Sequence, residues 1–343
     1  MPNLVYINGD GIGKEVVPAA LQVLKAVVPD LNLIQAEAGW DCFLKNGVSV
    51  LPETLDKLRL YGVGLFGAVS SPSYKVPGYR SAIITIRQAL DLYSNLRPID
   101  TYPNISTRQG IDMLIVRENT EGMYAGRERM DGDMAIAERL ITRKASYRIG
   151  KRAAQLALQS NRRLTIVHKA NVLPITDGLF RDTVREAIRD VCPPDVVLPV
   201  EEMLVDTAAL RLAGEPEHFG VLVTTNLFGD ILSDLASVHF GGLGMAPSLN
   251  WGDHIALAEP VHGSAPDIAG HGIANPIATI LSTSMLLRYV WRQLPLAIQI
   301  ENAVNDALAY DLPVKDGRLA PGLETATITR CVLRRIEHPG PDR

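Results

Sequence analysis

Leu4-Val-Tyr-Ile-Asn-Gly-Asp-Gly-Ile-Gly-Lys-Glu-Val-Val-Pro-Ala-Ala-Leu-Gln-Val-Leu-Lys-Ala-Val27 passes from a short apolar strand through a glycine-rich turn into a helix. Leu4 to Ile7 is apolar and β-prone, and Asn8 to Gly13 is turn chemistry. Val16, Ala20, Val23 and Val27 then recur at helical spacings of three and four. The alternation continues outward from this unit. Val63-Gly-Leu-Phe66, Met113-Leu-Ile-Val116, Leu164-Thr-Ile-Val167 and Val221-Leu-Val-Thr224 all read as buried strands separated by helix-like segments. The expected class is α/β with a largely parallel or mixed sheet. Arg117 and Glu118, His168 and Lys169, and Asn226 and Asp230 follow three of these strands. Open α/β sheets place ligands just past the carboxyl ends of strands. Taken singly these are loop residues as readily as site residues; together they favour a site.

At 343 residues the chain is long enough for two domains, and 47% hydrophobic residues can fill a sizeable core. A net charge of −4 gives no broad attraction for nucleic acid or an anionic membrane, so a bound anion needs a local cluster of cations. Neither nucleic acid nor membrane is expected as a partner. Cys42, Cys192 and Cys331 lie far apart and form no CxxC pair or zinc spacing. With no basic-then-apolar leader and no membrane-length apolar run, the expectation is a soluble, cytoplasmic protein. Pro98 to Pro103 and Gly241 to Pro247 are candidate crossings between domains, which would make the first domain discontinuous.

Several segments could carry chemistry. The glycines of Gly9-Asp-Gly-Ile-Gly-Lys14 are spaced GxGxG, matching neither GxGxxG nor GxxxxGK[ST], so a tight turn is favoured over a Rossmann site. In Asn226-Leu-Phe-Gly-Asp-Ile-Leu-Ser-Asp234, Asp230 and Asp234 share one helix face, where like charges repel. A divalent cation would relieve that repulsion through hard oxygen ligands, although such a pair is also common on solvated surfaces. The apolar neighbours of this pair point to a mostly buried helix. Arg80, Arg87, Arg97 and Arg117 are ordinary surface arginines unless a polyanionic ligand gathers them. Tyr124 and Lys169 are the candidates for proton transfer, since a lysine beside a metal and arginines can be pushed into base range. Against this stands a surface lysine and a core tyrosine. Glu259-Pro-Val-His-Gly-Ser-Ala-Pro-Asp-Ile-Ala-Gly270 continues into Gly272-Ile-Ala-Asn-Pro276, a loop whose small residues permit close ligand approach. Asp267 could bond a ribose hydroxyl and would repel a 2′-phosphate. His262 has no partner at metal-ligand spacing.

Together these segments resemble the β-decarboxylating dehydrogenases: isocitrate, 3-isopropylmalate and homoisocitrate dehydrogenases. The resemblance runs from Gly9 to about Leu287. It includes Leu90-Asp-Leu-Tyr-Ser-Asn-Leu-Arg-Pro98, Val116-Arg-Glu-Asn-Thr-Glu-Gly-Met-Tyr124, His168-Lys-Ala-Asn-Val-Leu173, the Asp230/Asp234 helix and the His262 loop. After Pro313 it is loose. The resemblance implies a two-domain fold of that family, with a mixed central sheet and a non-Rossmann NAD site. A large NAD-binding domain would comprise 1–97 and 245–343, and a small domain over 98–244 would carry the metal and substrate residues and the dimer interface.

The resemblance further implies roles. Arg87, Arg97 and Arg117 would hold substrate carboxylates, and Asp206, Asp230 and Asp234 would hold Mg²⁺ or Mn²⁺. In the family the Asp206 position and the lysine come from the partner subunit of a homodimer or tetramer. Lys169 would help deprotonate the C2 hydroxyl as hydride passes to the nicotinamide, and Tyr124 would protonate the enol carbon after CO₂ leaves. Asn171 would lie near the nicotinamide. Ser70, His262, Gly263, Ser264, Ala265, Asp267, Ile268 and Asn275 would form the cofactor site. Asp267-Ile268 stands where NADP-using members carry Lys-Tyr, so NAD is expected.

Substrate choice falls on Tyr79-Arg-Ser-Ala-Ile-Ile-Thr-Ile-Arg87. If helical, it turns Arg80, Ile83, Ile84 and Arg87 one way. Isopropylmalate enzymes carry a glutamate and two leucines where Arg80, Ile83 and Ile84 stand. Isocitrate enzymes carry serine and asparagine at the positions of Ser81 and Ile83. Ala38-Gly-Trp40, Ser70-Ser-Pro-Ser-Tyr-Lys-Val-Pro-Gly78 and Tyr79-Arg-Ser81 look most like homoisocitrate dehydrogenases of lysine biosynthesis, although some of those have an arginine at Ile84. Arg80 and Ser81 would then meet a distal carboxylate. Homoisocitrate is the first expectation, isocitrate the second and isopropylmalate the third, with an enzyme accepting two of them also open. A non-catalytic regulatory subunit is the rival class, but Lys169, Tyr124, Asp206, Asp230 and Asp234 are all retained.

Overall fold

The structure, a computed structural model, describes residues 2–72, 74 and 76–340. Ser73 and Lys75 of the Ser70–Gly78 segment lie outside the described residues, as do Met1 and 341–343 at the ends of the expected first domain. The chain forms two compact units: Met1–Leu92 with Thr101–Arg108 and His239–Arg343, and Tyr93–Asp100 with Gln109–Val238. These divisions fall a few residues from the expected boundaries, with the first unit again discontinuous. Residues 97 and 98 lie inside one strand, Ser94–Asp100, whose full length pairs antiparallel with Asp112–Glu118. Pro98 sits within that ladder opposite Leu114. At the other crossing the division falls after Val238 instead of near residue 245, and Thr107 N–H reaches His239 O at 3.2 Å within the first unit.

Five strands of the first unit run in the order Asn32–Gln35, Asn3–Gly9, Val63–Ala68, Ala256–Pro260, Pro247–Trp251. The first four are parallel and the fifth is antiparallel to its neighbour. Val63–Ala68 is buried at every position, as expected for a parallel strand covered on both faces. Helix Gly13–Val27 packs on Ile277–Met285 and on Thr325–Glu337. That last helix buries Ile328, Val332 and Ile336, so the stretch after Pro313 closes the core of this unit.

Five strands of the second unit pair side by side, in the order Ser94–Asp100, Asp112–Glu118, Val221–Thr224, Leu164–His168, Val200–Leu204. After the antiparallel first pair the remainder is parallel. Helices Arg143–Ser160 and Thr176–Val191 pack on each other, with Gly150 against Val184 and Ala187. The two helices that matter most for chemistry, Val205–Gly214 and Asn226–Ala236, follow strands directly. A short hairpin, Glu128–Asp131 with Met134–Ala137, stands apart from the main strands of this unit. Among the described residues no helix is long and apolar enough to cross a membrane.

Candidate active site

In the second unit, strand Val221–Thr224 feeds helix Asn226–Ala236. That helix buries Asn226, Gly229, Leu232, Ser233 and Ala236 along one side. Asp230 and Asp234 stand beside this buried stripe, with partly exposed side chains. Arg97 and Arg117, on neighbouring strands, are 6% and 1% exposed, so their charges must be met inside the protein. Arg97 Nη1 donates to Ser233 Oγ at 2.5 Å and to Asp234 Oδ1 at 3.1 Å, and its Nη2 reaches Asp230 Oδ1 at 3.1 Å. Arg117 Nη1 donates to Asp230 Oδ1, and Tyr124 Oη donates to Asp230 Oδ2. The Arg117 guanidinium lies 5.2 Å from the centre of the Tyr124 ring.

Arg117 is oriented from behind. Asn226 Oδ1 accepts from its Nε at 3.1 Å and its Nη2 at 2.8 Å, while Asn226 Nδ2 donates to Glu121 O at 3.1 Å. Gly229 allows the approach, because a Cβ there would lie 2.7 Å from Arg117 Cγ. Burial holds the Tyr124 phenol above its ordinary range, and its bond to Asp230 adds to the shift. Burial likewise raises the Asp234 carboxyl against the lowering pull of Arg97. Two carboxylates one helical turn apart, one of them raised by burial, suit a hard divalent cation.

Lys169 and Asp206 form a second grouping in the same unit. Lys169 Nζ lies 2.5 Å from Asp206 Oδ1, and this bond is the main cause of a lowered Asp206 carboxyl. The lysine backbone is fixed by Asp177, which is fully buried and accepts Lys169 N–H at 2.6 Å. Arg139 pairs with the other oxygen of Asp177. Asn171 is exposed on the turn that follows. Among the described residues no three acidic, histidine or cysteine side chains of one chain gather into a metal site. Asp206 is thus not brought to Asp230 and Asp234 within a single chain.

The first unit holds the remaining candidates. Arg87, in helix Ala82–Ala89, is buried and pairs with Glu259, whose Oε1 also accepts from Asn250 Nδ2 at 2.8 Å. Arg80 precedes that helix and donates to Gln88, and Ser81 takes the N-cap position. Ile83 and Ile84 are not an open pair: Ile83 is 9% exposed within the core, and Ile84 packs against the same cluster. The helix starts too late to carry Arg80 on its face, and its apolar side turns into the unit.

In the loop expected to bind the cofactor, Ser264 Oγ meets Ser70 Oγ at 2.7 Å. His262 Nδ1 faces Gly263 O at 2.9 Å, while its Nε2 is buried with no hydrogen-bond partner among the described residues. Burial holds this imidazole below its usual range, so the ring is neutral and Nε2 offers a lone pair to a ligand donor. Ala265 adopts φ +38°, the left-handed region. Asp267 is exposed and Ile268 half-buried. Asn275 Oδ1 accepts Ile277 N–H at 3.0 Å. An unpartnered acceptor and an exposed carboxylate on a small-residue loop fit an adenosine moiety with a free ribose.

Sequence reasoning gave no role to Asp177 or Glu259, and noted Asn226 only as a polar residue past a strand end, not as the partner of Arg117. Asn226 had a signal, lying four residues before Asp230 and so on the same helix face. Asp177 and Glu259 had none, because only folding brings each to the group it holds.

The family model for isocitrate/isopropylmalate dehydrogenase matches residues 3–332 of the chain. The chain is 50% identical over 339 residues to an isocitrate/homoisocitrate dehydrogenase of Thermus thermophilus, covering 97% of this chain and 98% of the other. It is 47% identical over 303 residues to a homoisocitrate dehydrogenase of Methanocaldococcus jannaschii, covering 84% and 86%. The crystal structure of isocitrate dehydrogenase from Methylococcus capsulatus resembles it with a TM-score of 0.92 at 37% identity, over 98% of this chain and 100% of that one.

Proposed function

The chain belongs to the isocitrate/isopropylmalate dehydrogenase family, and from that premise we propose that it oxidises and decarboxylates homoisocitrate to 2-oxoadipate and CO₂, using NAD and Mg²⁺ or Mn²⁺. That it is an oxidative decarboxylating dehydrogenase follows from the family; substrate, cofactor and assembly are the proposal. One observation carries it: Arg97, Arg117 and Tyr124 all converge on Asp230, beside Asp234. This cluster joins carboxylate-binding forks, a proton donor and hard oxygen ligands.

Asp230 and Asp234, with Asp206 of a second copy, would hold the cation. When bound, it supplies positive charge to the C2 oxygen and polarises the ketone that forms there. Arg97 and Arg117 bind substrate carboxylates through bidentate forks. Lys169 would help remove the proton of the C2 hydroxyl, and NAD, when bound, would supply the acceptor for the C2 hydride. The bond from C3 to its carboxyl carbon then breaks, CO₂ departs, and the electron pair remains as an enolate. Tyr124 Oη delivers a proton to C3, and its raised pKa keeps that proton in place at neutral pH. Arg87, fixed by Glu259, holds another carboxylate.

A homodimer is part of the proposal, because Lys169 and Asp206 pair with each other and not with Asp230. Exposed apolar side chains of the second unit, Leu210, Ile231, Val238, Met130 and Met134, suit coverage by a second copy. For the substrate, the names of the relatives and Arg80-Ser81 at the start of the specificity segment favour a distal carboxylate. The test is NADH production at fixed Mg²⁺ and NAD with homoisocitrate, isocitrate and 3-isopropylmalate in parallel. Preference for homoisocitrate is expected. Preference for isopropylmalate would overturn the substrate, and no turnover of any of the three would overturn the whole reading.

A further inference from the structure

The Gly9–Lys14 turn matches no phosphate-binding glycine spacing, and the fold uses it to carry another loop. Four of its amides are used within the unit: Asp10 N–H goes to Ala68 O at 2.9 Å, Ile12 N–H to Ser264 O at 2.9 Å, Gly13 N–H to Asp10 O at 3.0 Å and Lys14 N–H to Gly11 O at 3.2 Å. Gly11 has φ +51°, and a Cβ there would lie 2.1 Å from Ser264 O. The glycine is needed because the cofactor loop rests directly on this turn. Further contacts tie the two together. Glu15 Oε1 accepts Gly270 N–H at 2.6 Å, and Ile12 and Val16 form an apolar cluster with Ala274 against which Ala265, Ile268 and Ala269 pack. Asp10 accepts Ser70 N–H at 2.8 Å, and Ser70 Oγ in turn bonds Ser264 Oγ.

Between these anchors lies Ala265 at φ +38°, a conformation that L side chains adopt at a cost. A strained residue persists where its surroundings over-determine it. The bonds at Ser264 and Gly270 grip the loop on either side of it, and Asp267-Ile268 lie between them. We propose that Glu15 is a positioning residue for the cofactor: its carboxylate holds the Gly270 amide and so fixes the arc that presents Ala265, Asp267 and Ile268. The inference rests on the reading of residues 262–275 as the cofactor loop. Glu15 also lies in the first turn of helix Gly13–Val27, where its charge favours the helix terminus. Glu15→Gln removes that charge and keeps the acceptor, which separates the two roles.

The experiment measures NAD binding by calorimetry, together with steady-state kinetics, for wild type, Glu15→Ala, Glu15→Gln and Asp267→Lys. Loss of a charge-assisted bond predicts that Glu15→Ala raises the Kd and KM for NAD about tenfold, with kcat and the hydroxy-acid KM unchanged. Glu15→Gln is expected to stay within about twofold of wild type, because its amide oxygen still accepts from Gly270. Should Glu15→Ala not fold, Glu15→Asp, too short to reach Gly270, replaces it with the same expected rise. Equal weakening in Glu15→Gln and Glu15→Ala would assign the effect to helix charge and overturn the proposal. If Asp267→Lys weakens NAD and Glu15→Ala does not, the loop reading stands and the positioning role is refuted. If neither changes NAD affinity, the loop reading itself has failed, and the proposal with it.

Discussion

Replacing Asn226 with leucine keeps the number of side-chain heavy atoms and removes every polar contact of the side chain. Asn226 and Arg117 are each 1% exposed, so water cannot replace what is lost. Two N–H groups of a guanidinium lose a shared acceptor, at 3.1 and 2.8 Å, and Glu121 O loses a donor at 3.1 Å. Hydrogen bonds to a charged group contribute about 1.5–3 kcal/mol each, and a buried charge stripped of a partner costs more than a neutral group. Because one oxygen serves both N–H groups, they count for less than two full bonds. With the carbonyl included, the expected loss is about 3–5 kcal/mol, a large share of a typical folding free energy. Urea denaturation at neutral pH measures it. Asn226→Asp, which retains the acceptor and loses the donor to Glu121, is expected to lose about 1–2 kcal/mol. Turnover gives a second readout: a loosened Arg117 raises the substrate KM by more than the KM for NAD. A loss below about 1 kcal/mol for Asn226→Leu, with an unchanged substrate KM, would refute the claim that Asn226 orients Arg117.

Four further outcomes are expected. Burial, aided by repulsion from Glu118, pushes the Glu121 carboxyl up from 4.5 to about 7. The folded protein therefore holds a proton there that the unfolded chain has released, and this contribution is full below pH 4.5 and lost as pH rises through about 7. Glu121→Gln should flatten the fall of urea stability across that window, and an identical slope in both proteins would count against it. Chelation with EDTA should abolish turnover, with Mg²⁺ or Mn²⁺ restoring it. In thermal melts without substrate, saturating Mg²⁺ should raise the Tm of wild type and leave Asp234→Asn unmoved; an equal rise in both would remove Asp234 from the cation site. Finally, Lys169→Ala and Asp230→Asn should each be inactive, yet chains co-refolded from the two should recover activity, because one site of a mixed dimer keeps both residues. Failure of the mixture to recover would mean that each chain supplies its own lysine.

Some of this was legible without coordinates. Leu4–Ile7, Val63–Phe66, Leu164–Val167 and Val221–Thr224 are apolar runs closed by turn residues, and each lies inside a strand of the structure. Ser94–Asp100 was not legible as a strand. It carries Asn95, Arg97 and Pro98, so its composition reads as a connection, and only pairing with Asp112–Glu118 makes it extended. The C-terminal helix Thr325–Glu337 gave a loose resemblance yet fills the core, because what matters there is an apolar stripe and not particular residues.

The site divides in the same way. Tyr124, Lys169, Asp230 and Asp234 could be singled out from local spacing and resemblance, since their neighbours in sequence carry the pattern. The linear chain by itself determined the fold class, the family and these side chains, because hydrophobic periodicity and short motifs are properties of adjacent residues. Tertiary structure alone decided that Asp230 is the point where Arg97, Arg117 and Tyr124 meet, that Ile83 is core, and that the Gly9–Lys14 turn supports a loop some 250 residues away. The physical reason is that a buried charge or backbone amide takes the partner that folding brings within hydrogen-bonding distance, and sequence separation places no limit on which residue that is.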